Sequence, residues 1–274
     1  MIKESDVTII IPHLTSSESS APALKISLTS LQKTTDSQIL IVANGPWREQ
    51  EFPPDMWIGK QGQCRAVNAA VATVDTPWVL VTNDDMVYPT AWFERLTARV
   101  TDDVACVSPQ LVEPKEGAPT FLQLAAGGAG GDFDMEKFQK FASSHEGRGL
   151  RTGFNLPYLI RKELFDMIGG YDINYDPWGS NGDSDLQYKI LLAGAQPYQN
   201  TDCVVYHFSQ TSGTFHPDNR AWWEKNWHYF ISKWGFERAS SPEIWQSARN
   251  LLDDHMAELK YQPDWAGKWW GKRS

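Results

Sequence analysis

The sequence lacks three features that would place it in other classes of protein. It has only three cysteines in 274 residues, Cys64, Cys106 and Cys203, and they stand too far apart for a metal-ligand pattern. It has no apolar run long enough to cross a bilayer and no leader pattern at its start. Basic residues are not in excess, since 25 Lys and Arg stand against 34 Asp and Glu. We therefore expect a cytoplasmic protein with reduced thiols, no transmembrane segment and little attraction to nucleic acid.

The order of apolar and amphipathic segments predicts an α/β fold. The hydrophobic fraction is 41% and the charged fraction 22%, as in soluble globular proteins. Continuous apolar runs, typical of strands buried on both faces, occur at 7–12, 39–43, 78–81, 104–108 and 203–208. Helices are predicted at 22–34, 62–70, 90–100, 162–168 and 183–192. This alternation predicts a Rossmann-like, mostly parallel sheet flanked by helices.

The pattern divides the chain into a main domain, 1–214, and a helical C-terminal extension, 215–274. In the main domain, a first half at 1–110 and a second half at 153–214 are separated by the glycine-rich residues 111–152. That segment is either an insertion beside a site or a linker without a role. The extension is rich in tryptophan, with Trp222, Trp223, Trp227, Trp234, Trp245, Trp265, Trp269 and Trp270. Packing onto the main domain explains these indoles most simply, and stacking on sugars is the alternative.

Two adjacent carboxylates, Asp84 and Asp85, follow the predicted strand 78–81, with Asn83 before them. Open α/β sheets bind ligands just beyond the carboxyl ends of their strands. Adjacent carboxylates repel each other, and a hard divalent cation that carries a substrate's phosphates would neutralise them. The alternative is that the two residues open a turn or cap the next helix. The features described below favour the metal site.

A glycine-led helix start at Gly62 brings Arg65 and Asn68 to one face, one turn apart. The free amide groups and dipole of a helix N-terminus attract phosphate, and an arginine strengthens that attraction. The same residue types are also common on helix surfaces, so this feature indicates a phosphate site only in company with others.

The segment Trp178-Gly179 precedes two carboxylates, Asp183 and Asp185, at the start of a predicted helix. A carboxylate within hydrogen-bond reach of an acceptor hydroxyl can act as a general base. Trp178, beside that carboxylate, is the best candidate for stacking on an acceptor. Alternatively, Asp183 caps the helix, and Asp185 favours the helix dipole or is a structural carboxylate facing inward.

His207 closes the apolar strand predicted at 203–208. A histidine in this position is more often a core residue than a ligand. Imidazole is nevertheless a frequent companion of carboxylates around ions such as Mn²⁺. Because a strand end with two carboxylates is already present, the sequence favours His207 as a metal ligand.

These features, in this order, resemble the inverting family 2 glycosyltransferases, which have the GT-A fold. Four motifs carry the resemblance over about residues 5–210: VTIIIP, GQCRAVNAA, TNDDM and WGSNGDSDL. They are similar to the family's nucleotide-binding strand, glycine-to-asparagine helix, DXD metal motif and acceptor motif. The resemblance implies a metal-dependent enzyme that moves a sugar from a nucleoside-diphosphate sugar to an acceptor hydroxyl in one inverting displacement. The first half would bind the donor and the second half the acceptor.

The resemblance also implies a role for each matching residue. Asp85 and His207 would hold Mn²⁺ or Mg²⁺ under the donor's diphosphate, and Asp183 would be the catalytic base. Asn83 and Asp84 would share the rest of the DXD role. The other matching residues would bind the donor (Pro12, His13, Thr15, Asn44, Arg65 and Asn68) or the acceptor (Trp178, Gly179 and Asp185).

Three residues depart from the family pattern. Asn83 replaces the first Asp of DXD, Gly182 replaces the Glu of the acceptor motif, and Ala43 replaces an Asp that often reads the base. The nucleotide therefore stays open, with a UDP-sugar favoured. The acceptor could be a glycan or another hydroxyl compound, and the acidic balance disfavours a nucleic acid.

Two other functions are compatible with parts of the pattern. A sugar-nucleotide or glycan-binding module that has lost catalysis would explain the changes at Asn83 and Gly182. A nucleotidyltransferase would share the first strand and the Asp-bound metal. That class normally has a glycine-rich basic loop after the first strand, whereas residues 13–18 read HLTSSE. We therefore rank it below the other two.

Overall fold

A computed structural model describes residues 1–15, 20–46, 51–59, 62–114, 121–209, 216–236 and 244–269. Within these ranges the strands are β1 (Val7–Leu14), β2 (Gln38–Asn44), β3 (Met56–Trp57), β4 (Trp78–Val81), β5 (Met86–Val87), β6 (Cys106–Glu113), β7 (Leu122–Gln123), β8 (Leu150–Thr152), β9 (Tyr158–Arg161) and β10 (Pro197–His207). They form one sheet in the order β3-β2-β1-β4-β9-β6-β10-β5, with β7 beside β6 and β8 beside β10. The five strands predicted from apolar runs are all present.

The helices of the described ranges lie between and after these strands. They are α1 (Ser20–Thr34), α2 (Gln63–Val71), α3 (Trp92–Thr97), α4 (Met135–Ser144), α5 (Lys162–Met167), α6 (Gly182–Ala193), α7 (Arg220–Trp234) and α8 (Ile244–Asp254). None of them is long and apolar enough to span a membrane. The three cysteines carry free, buried thiols.

Within the described ranges the sheet is mixed, with five parallel and four antiparallel strand pairs. Strand β9 runs antiparallel between β4 and β6, so it joins the second half of the chain to the first. Strand β9 has four residues and leads directly into α5. The sequence pattern predicted the helix but not the strand. Because β4 and β6 both oppose β9, they are parallel to each other, and β10 is parallel to β6. The carboxyl ends of β1, β4 and β10 therefore meet at one edge.

The C-terminal helices pack against α6. Trp234, the last residue of α7, is fully buried, with its ring centroid 5.4 Å from that of Tyr188 on α6. Leu252 of α8 is also fully buried. This packing accounts for some of the apolar residues of 215–274. Residue Trp270 lies outside the described residues, and no side chain is described for Trp245.

Candidate active site

A cavity of about 540 Å³ opens at the edge where β1, β4 and β10 end. Nine of the predicted site residues line it: Pro12, Asn44, Asn83, Asp84, Asp85, Trp178, Gly179, Asp183 and His207. Five do not: His13, Thr15, Arg65, Asn68 and Asp185. The cavity thus brings together the residues predicted to hold the metal, to act as base and to stack on an acceptor.

Asp85 and His207 line the cavity side by side. His207 pairs with Met86 between β10 and β5, and the Phe208 amide donates to the Asp85 carbonyl at 3.1 Å. This pairing holds His207 Nε2 at 3.5 Å from Asp85 Oδ1, while His207 Nδ1 lies 2.8 Å from Glu113 Oε1. Burial alone would lower the pKa of His207, but the two carboxylates outweigh it and raise the pKa to about 10. A carboxylate behind an imidazole fixes the ring orientation, as in many metal sites.

The donor set of Asp85 and His207 is incomplete as a metal site by itself. Among the described residues, no three carboxylate, imidazole or thiol groups converge on one point. Asp85 and His207 offer one oxygen and one nitrogen, a combination suited to Mn²⁺-like ions. Mg²⁺ and similar ions are often held by one or two protein ligands together with substrate phosphates and water. These two residues therefore fit a cation that binds together with a phosphate-bearing substrate.

Asp84 lies beside Asp85 but is held in another direction. Its Oδ2 is 2.7 Å from His13 Nδ1, and both side chains are buried. Burial raises the pKa of Asp84, although the contact with His13 opposes that rise. Asn83 is held by Gln63, whose Nε2 donates to Asn83 Oδ1 at 3.1 Å. His13 is not among the cavity-lining residues. Its contact with Asp84 holds the turn that carries both aspartates.

Thr15 and Asn44 join the ends of β1 and β2. The Thr15 hydroxyl donates to the Asn44 carbonyl at 3.1 Å and to the Pro46 carbonyl at 2.6 Å. The Asn44 amide donates to the His13 carbonyl at 3.0 Å and accepts from the Gly62 amide at 3.1 Å. Both residues were predicted to bind the sugar donor, and in the structure their polar side-chain groups form hydrogen bonds with the backbone.

The start of α2 is occupied by a carboxylate of the protein. Asp176 accepts from the Cys64 amide at 3.0 Å, the Arg65 amide at 3.2 Å and Arg65 Nη1 at 2.9 Å. A Cβ at Gly62 would meet this carboxylate at 2.4 Å, so the close approach needs glycine. Arg65, predicted to assist the donor phosphates, therefore ties α2 to the loop before α6. The sequence could not show this because the partners are 111 residues apart.

Asn68 and Tyr171 position the predicted base. Asn68 Oδ1 accepts from the Tyr171 amide and Asn68 Nδ2 donates to the Tyr171 carbonyl, both at 2.8 Å. The Tyr171 hydroxyl then donates to Asp183 Oδ1 at 2.8 Å. Burial and the charge of Asp183 raise the pKa of Tyr171 well above its usual value, so the phenol stays protonated. Helix α6 begins at Gly182 after Asn181, which has a φ of 65°, so Asp183 lies in the first turn and not at the cap.

Replacing Asn68 by alanine should lower the turnover number and leave the affinity for the donor nucleotide nearly unchanged. The loss of two hydrogen bonds frees Tyr171, and each such bond contributes about 0.5–1.5 kcal/mol. We expect about a tenfold loss of turnover, because a misplaced base loses proton-transfer efficiency. Steady-state kinetics and nucleotide calorimetry measure the two quantities. Asn68→Asp, which keeps the acceptor oxygen, should recover part of the turnover; an equal loss in both variants would contradict this role.

Asp185, predicted at the acceptor side, faces the interior of the fold. Successive positions on a helix differ by about 100°, so a residue two positions after Asp183 points almost the opposite way. Asp185 is fully buried and accepts from Trp234 Nε1 at 2.9 Å, Tyr175 at 3.2 Å and Lys233 Nζ at 3.0 Å. Of the two alternatives, the inward-facing structural carboxylate is the one observed. Its role is to attach α7 to α6.

Replacing Lys233 by methionine should lower the free energy of unfolding by about 3 kcal/mol, because it leaves a buried carboxylate without its cation. The Lys233 side chain is 8% exposed and also binds Asp172 Oδ2 at 2.8 Å. Urea denaturation measures the change. Lys225→Met, on an exposed turn of the same helix, is the matched control and should be neutral. If Lys233→Met had the same free energy of unfolding as Lys225→Met, the ion pair of Lys233 with Asp185 would not stabilise the fold.

Several cavity residues were not identified from the sequence. Gln63 and Asn155 line the cavity, Glu113 supports His207, and Trp223 and Trp227 reach the cavity from α7. Glu113 could not be identified because the apolar run that predicts this strand ends at Ser108, whereas the strand continues to Glu113. For Trp223 and Trp227 the sequence favoured packing onto the main domain and left stacking on sugars as the alternative.

Gly182 lies close to α2 and to Tyr171, so a side chain at this position would be tightly packed. A Cβ at this position would lie 3.3 Å from Cys64 Sγ and 3.7 Å from the Tyr171 ring. The glutamate usual in the family that the sequence resembles would therefore press on the Cys64 thiol, which would have to shift by a few tenths of an ångström. Asp183 is the one carboxylate that residues 178–185 contribute to the cavity lining.

Comparison with known proteins supports the resemblance. A family model described as Glycosyl transferase family 2 matches residues 58–160, just over a third of the chain, and confirms the predicted resemblance there. No curated protein matches the sequence significantly.

Solved structures that are similar to the chain include two that contain Mn²⁺. One is the crystal structure of GalNAc-T7 with UDP, GalNAc and Mn²⁺, at 15% identity and a TM-score of 0.54, covering 93% of this chain and 55% of that chain. The other is the mannosyltransferase PcManGT from Pyrobaculum calidifontis in complex with GDP-Man and Mn²⁺, at 15% identity and a TM-score of 0.52, covering 92% and 72%. The chain thus spans about half the length of the GalNAc-T7 chain. These similarities confirm the predicted GT-A fold.

Proposed function

We propose that the chain is a metal-dependent inverting glycosyltransferase that moves a sugar from a nucleoside-diphosphate sugar to an acceptor hydroxyl. The observation that carries the proposal is that one cavity is lined by Asp85, His207 and Asp183 together. The family 2 match and the Mn²⁺ in both similar structures support the enzyme class and the cofactor.

On the donor side, Asp85 and His207 would hold the divalent cation, and Glu113 would orient the imidazole. The cation would offset the negative charge that develops on the departing diphosphate. A neutral imidazole is needed as ligand, so binding of the cation would displace the proton that the carboxylates hold on His207. Asp84 and His13 would keep the Asp85 turn in place.

On the acceptor side, Asp183 would take the proton of the acceptor hydroxyl as its oxygen attacks the anomeric carbon. The new carbon–oxygen bond forms on the face opposite the phosphate, and the bond to the phosphate oxygen breaks. The nucleoside diphosphate leaves with the bonding electrons, so one displacement inverts the anomeric configuration. Tyr171 holds Asp183 Oδ1 and so orients the carboxylate for this step.

The nucleotide remains part of the proposal, because the two similar structures contain different ones, UDP and GDP-Man. The cytoplasmic setting also remains a proposal, and it rests on three buried thiols that form no disulfide.

The experiment is incubation of the protein with a panel of UDP-, GDP- and dTDP-sugars, with Mn²⁺ and with EDTA as the matched control. Release of nucleoside diphosphate that depends on Mn²⁺ is the expected result. Release of pyrophosphate would indicate a nucleotidyltransferase. Binding of a donor without turnover, whatever the acceptor, would indicate a module that has lost catalysis and would overturn the proposal.

A further inference from the structure

Three indoles line the cavity that Asp183 also lines. Trp178 comes from the loop before α6, and Trp223 and Trp227 come from α7. Residues four apart lie on the same face of a helix, so α7 presents both of its indoles together. All three are half-buried, whereas Trp234 at the end of the same helix is fully buried. The helix therefore uses one tryptophan for packing and leaves two partly uncovered at the cavity.

This indole wall (Trp178, Trp223 and Trp227) is held by a buried side chain. Asn226, between the two α7 indoles in the sequence, is fully buried. It donates to the Tyr175 carbonyl at 2.7 Å and to the Ser180 carbonyl and hydroxyl at 3.1 and 3.0 Å. The two contacted residues, Tyr175 and Ser180, flank Trp178 in the sequence. They fix α7 to the loop that carries Trp178, so the three indoles are arranged before a ligand binds.

Polar groups share the cavity with these indoles. Asn181, Ser184 and Asp183 line it, and they supply amide, hydroxyl and carboxylate groups. A saccharide ring has apolar C–H faces and hydroxyl edges, so it can stack on indoles and bind such groups at once. An alkyl chain could lie on the indoles but would make no hydrogen bond with those polar groups, so it would lack the polar contacts that a saccharide makes. The combination of surfaces favours a saccharide.

We propose that Trp223 and Trp227 of α7, together with Trp178, form the acceptor subsite and that the acceptor is a saccharide. This inference rests on the proposed glycosyltransferase function, since it names the substrate of the same cavity. It gives the C-terminal extension a specificity-determining role in addition to its packing role.

The test uses the full chain, with methyl glycosides and short gluco-, chito- and manno-oligosaccharides as probes. Saturation-transfer NMR on the wild type measures binding, and steady-state kinetics measures acceptor and donor KM separately. Trp223→Ala and Trp227→Ala should each raise the acceptor KM about tenfold, with no matching rise in the donor KM. Trp222→Ala is the matched control, because Trp222 is 39% exposed on the same helix and is not among the cavity-lining residues. Trp223→Phe should recover part of the affinity.

Three results would overturn the inference. The first is a rise in the donor KM equal to that in the acceptor KM. The second is an equal effect of Trp222→Ala. The third is wild-type turnover of a donor with no binding of any saccharide, or with stimulation only by a lipid-linked alcohol. In this third case the glycosyltransferase proposal survives. If the wild type turns over no donor at all, both proposals fail.

Discussion

Asp183→Asn should lower the turnover number by about 10²–10⁴-fold, the usual contribution of a general base. The amide cannot accept the acceptor proton, but it has the same shape and can still accept the hydrogen bond that Tyr171 donates to Oδ1. Folding and donor binding should therefore persist. Steady-state release of nucleoside diphosphate measures the turnover, and calorimetry with the nucleotide and Mn²⁺ measures the binding.

Tyr171→Phe is the comparison that separates proton transfer from positioning. It keeps the carboxylate of Asp183 and removes the hydroxyl that orients it, so we expect a smaller loss, about tenfold, from one missing hydrogen bond. A folded Asp183→Asn variant that keeps wild-type turnover would show that another group is the base.

Asp85→Ala should remove the Mn²⁺-dependent part of donor affinity, a loss of about 100-fold or more when a ligand is removed outright. The carboxylate is buried in the cavity lining, and the imidazole of His207 lies 3.5 Å from it. Without Asp85, the imidazole of His207 would be the single predicted metal ligand left. Calorimetric titration with UDP or GDP, with and without Mn²⁺, measures the effect.

Glu113→Gln provides a graded control for that result. It preserves the shape of the side chain behind His207 but weakens its hold on Nδ1, so the expected loss of metal affinity is smaller, about tenfold. Thermal unfolding should show that both variants are folded. Equal nucleotide affinity of Asp85→Ala with and without Mn²⁺, and equal to the wild type, would remove Asp85 from the metal site.

The apolar strands and the strand-end residues could be predicted from the sequence because both are local signals. Trp78–Val81 is a continuous apolar run, and Asp84 and Asp85 follow it directly. Parallel strands then place Asp85 and His207 at one edge, although 122 positions separate them. Strands β9 and β6 lie between β4 and β10 in the sheet, so the shared edge is predictable from the sequence, whereas the contact of Asp85 with His207 also needs the pairing of β5 with β10.

The orientation of side chains within α2 and α6 could not be predicted in this way. Arg65 and Asn68 have the residue types of a phosphate site, yet their partners, Asp176 and Tyr171, are more than 100 residues away. Long-range partners of this kind are set by packing and leave no trace in local spacing. For the same reason the cavity-facing positions of Trp223 and Trp227 needed the packing of α7 on α6.

The most direct test of the account is a crystal structure of the protein with Mn²⁺ and the nucleoside diphosphate that it binds best. Anomalous scattering from manganese would locate the cation. We expect it between Asp85, His207 and the diphosphate, with Asp183 facing the same cavity across the position of the transferred sugar. A cation bound elsewhere, or a diphosphate seated outside this cavity, would contradict the proposal that one site joins the metal-held donor to an aspartate base.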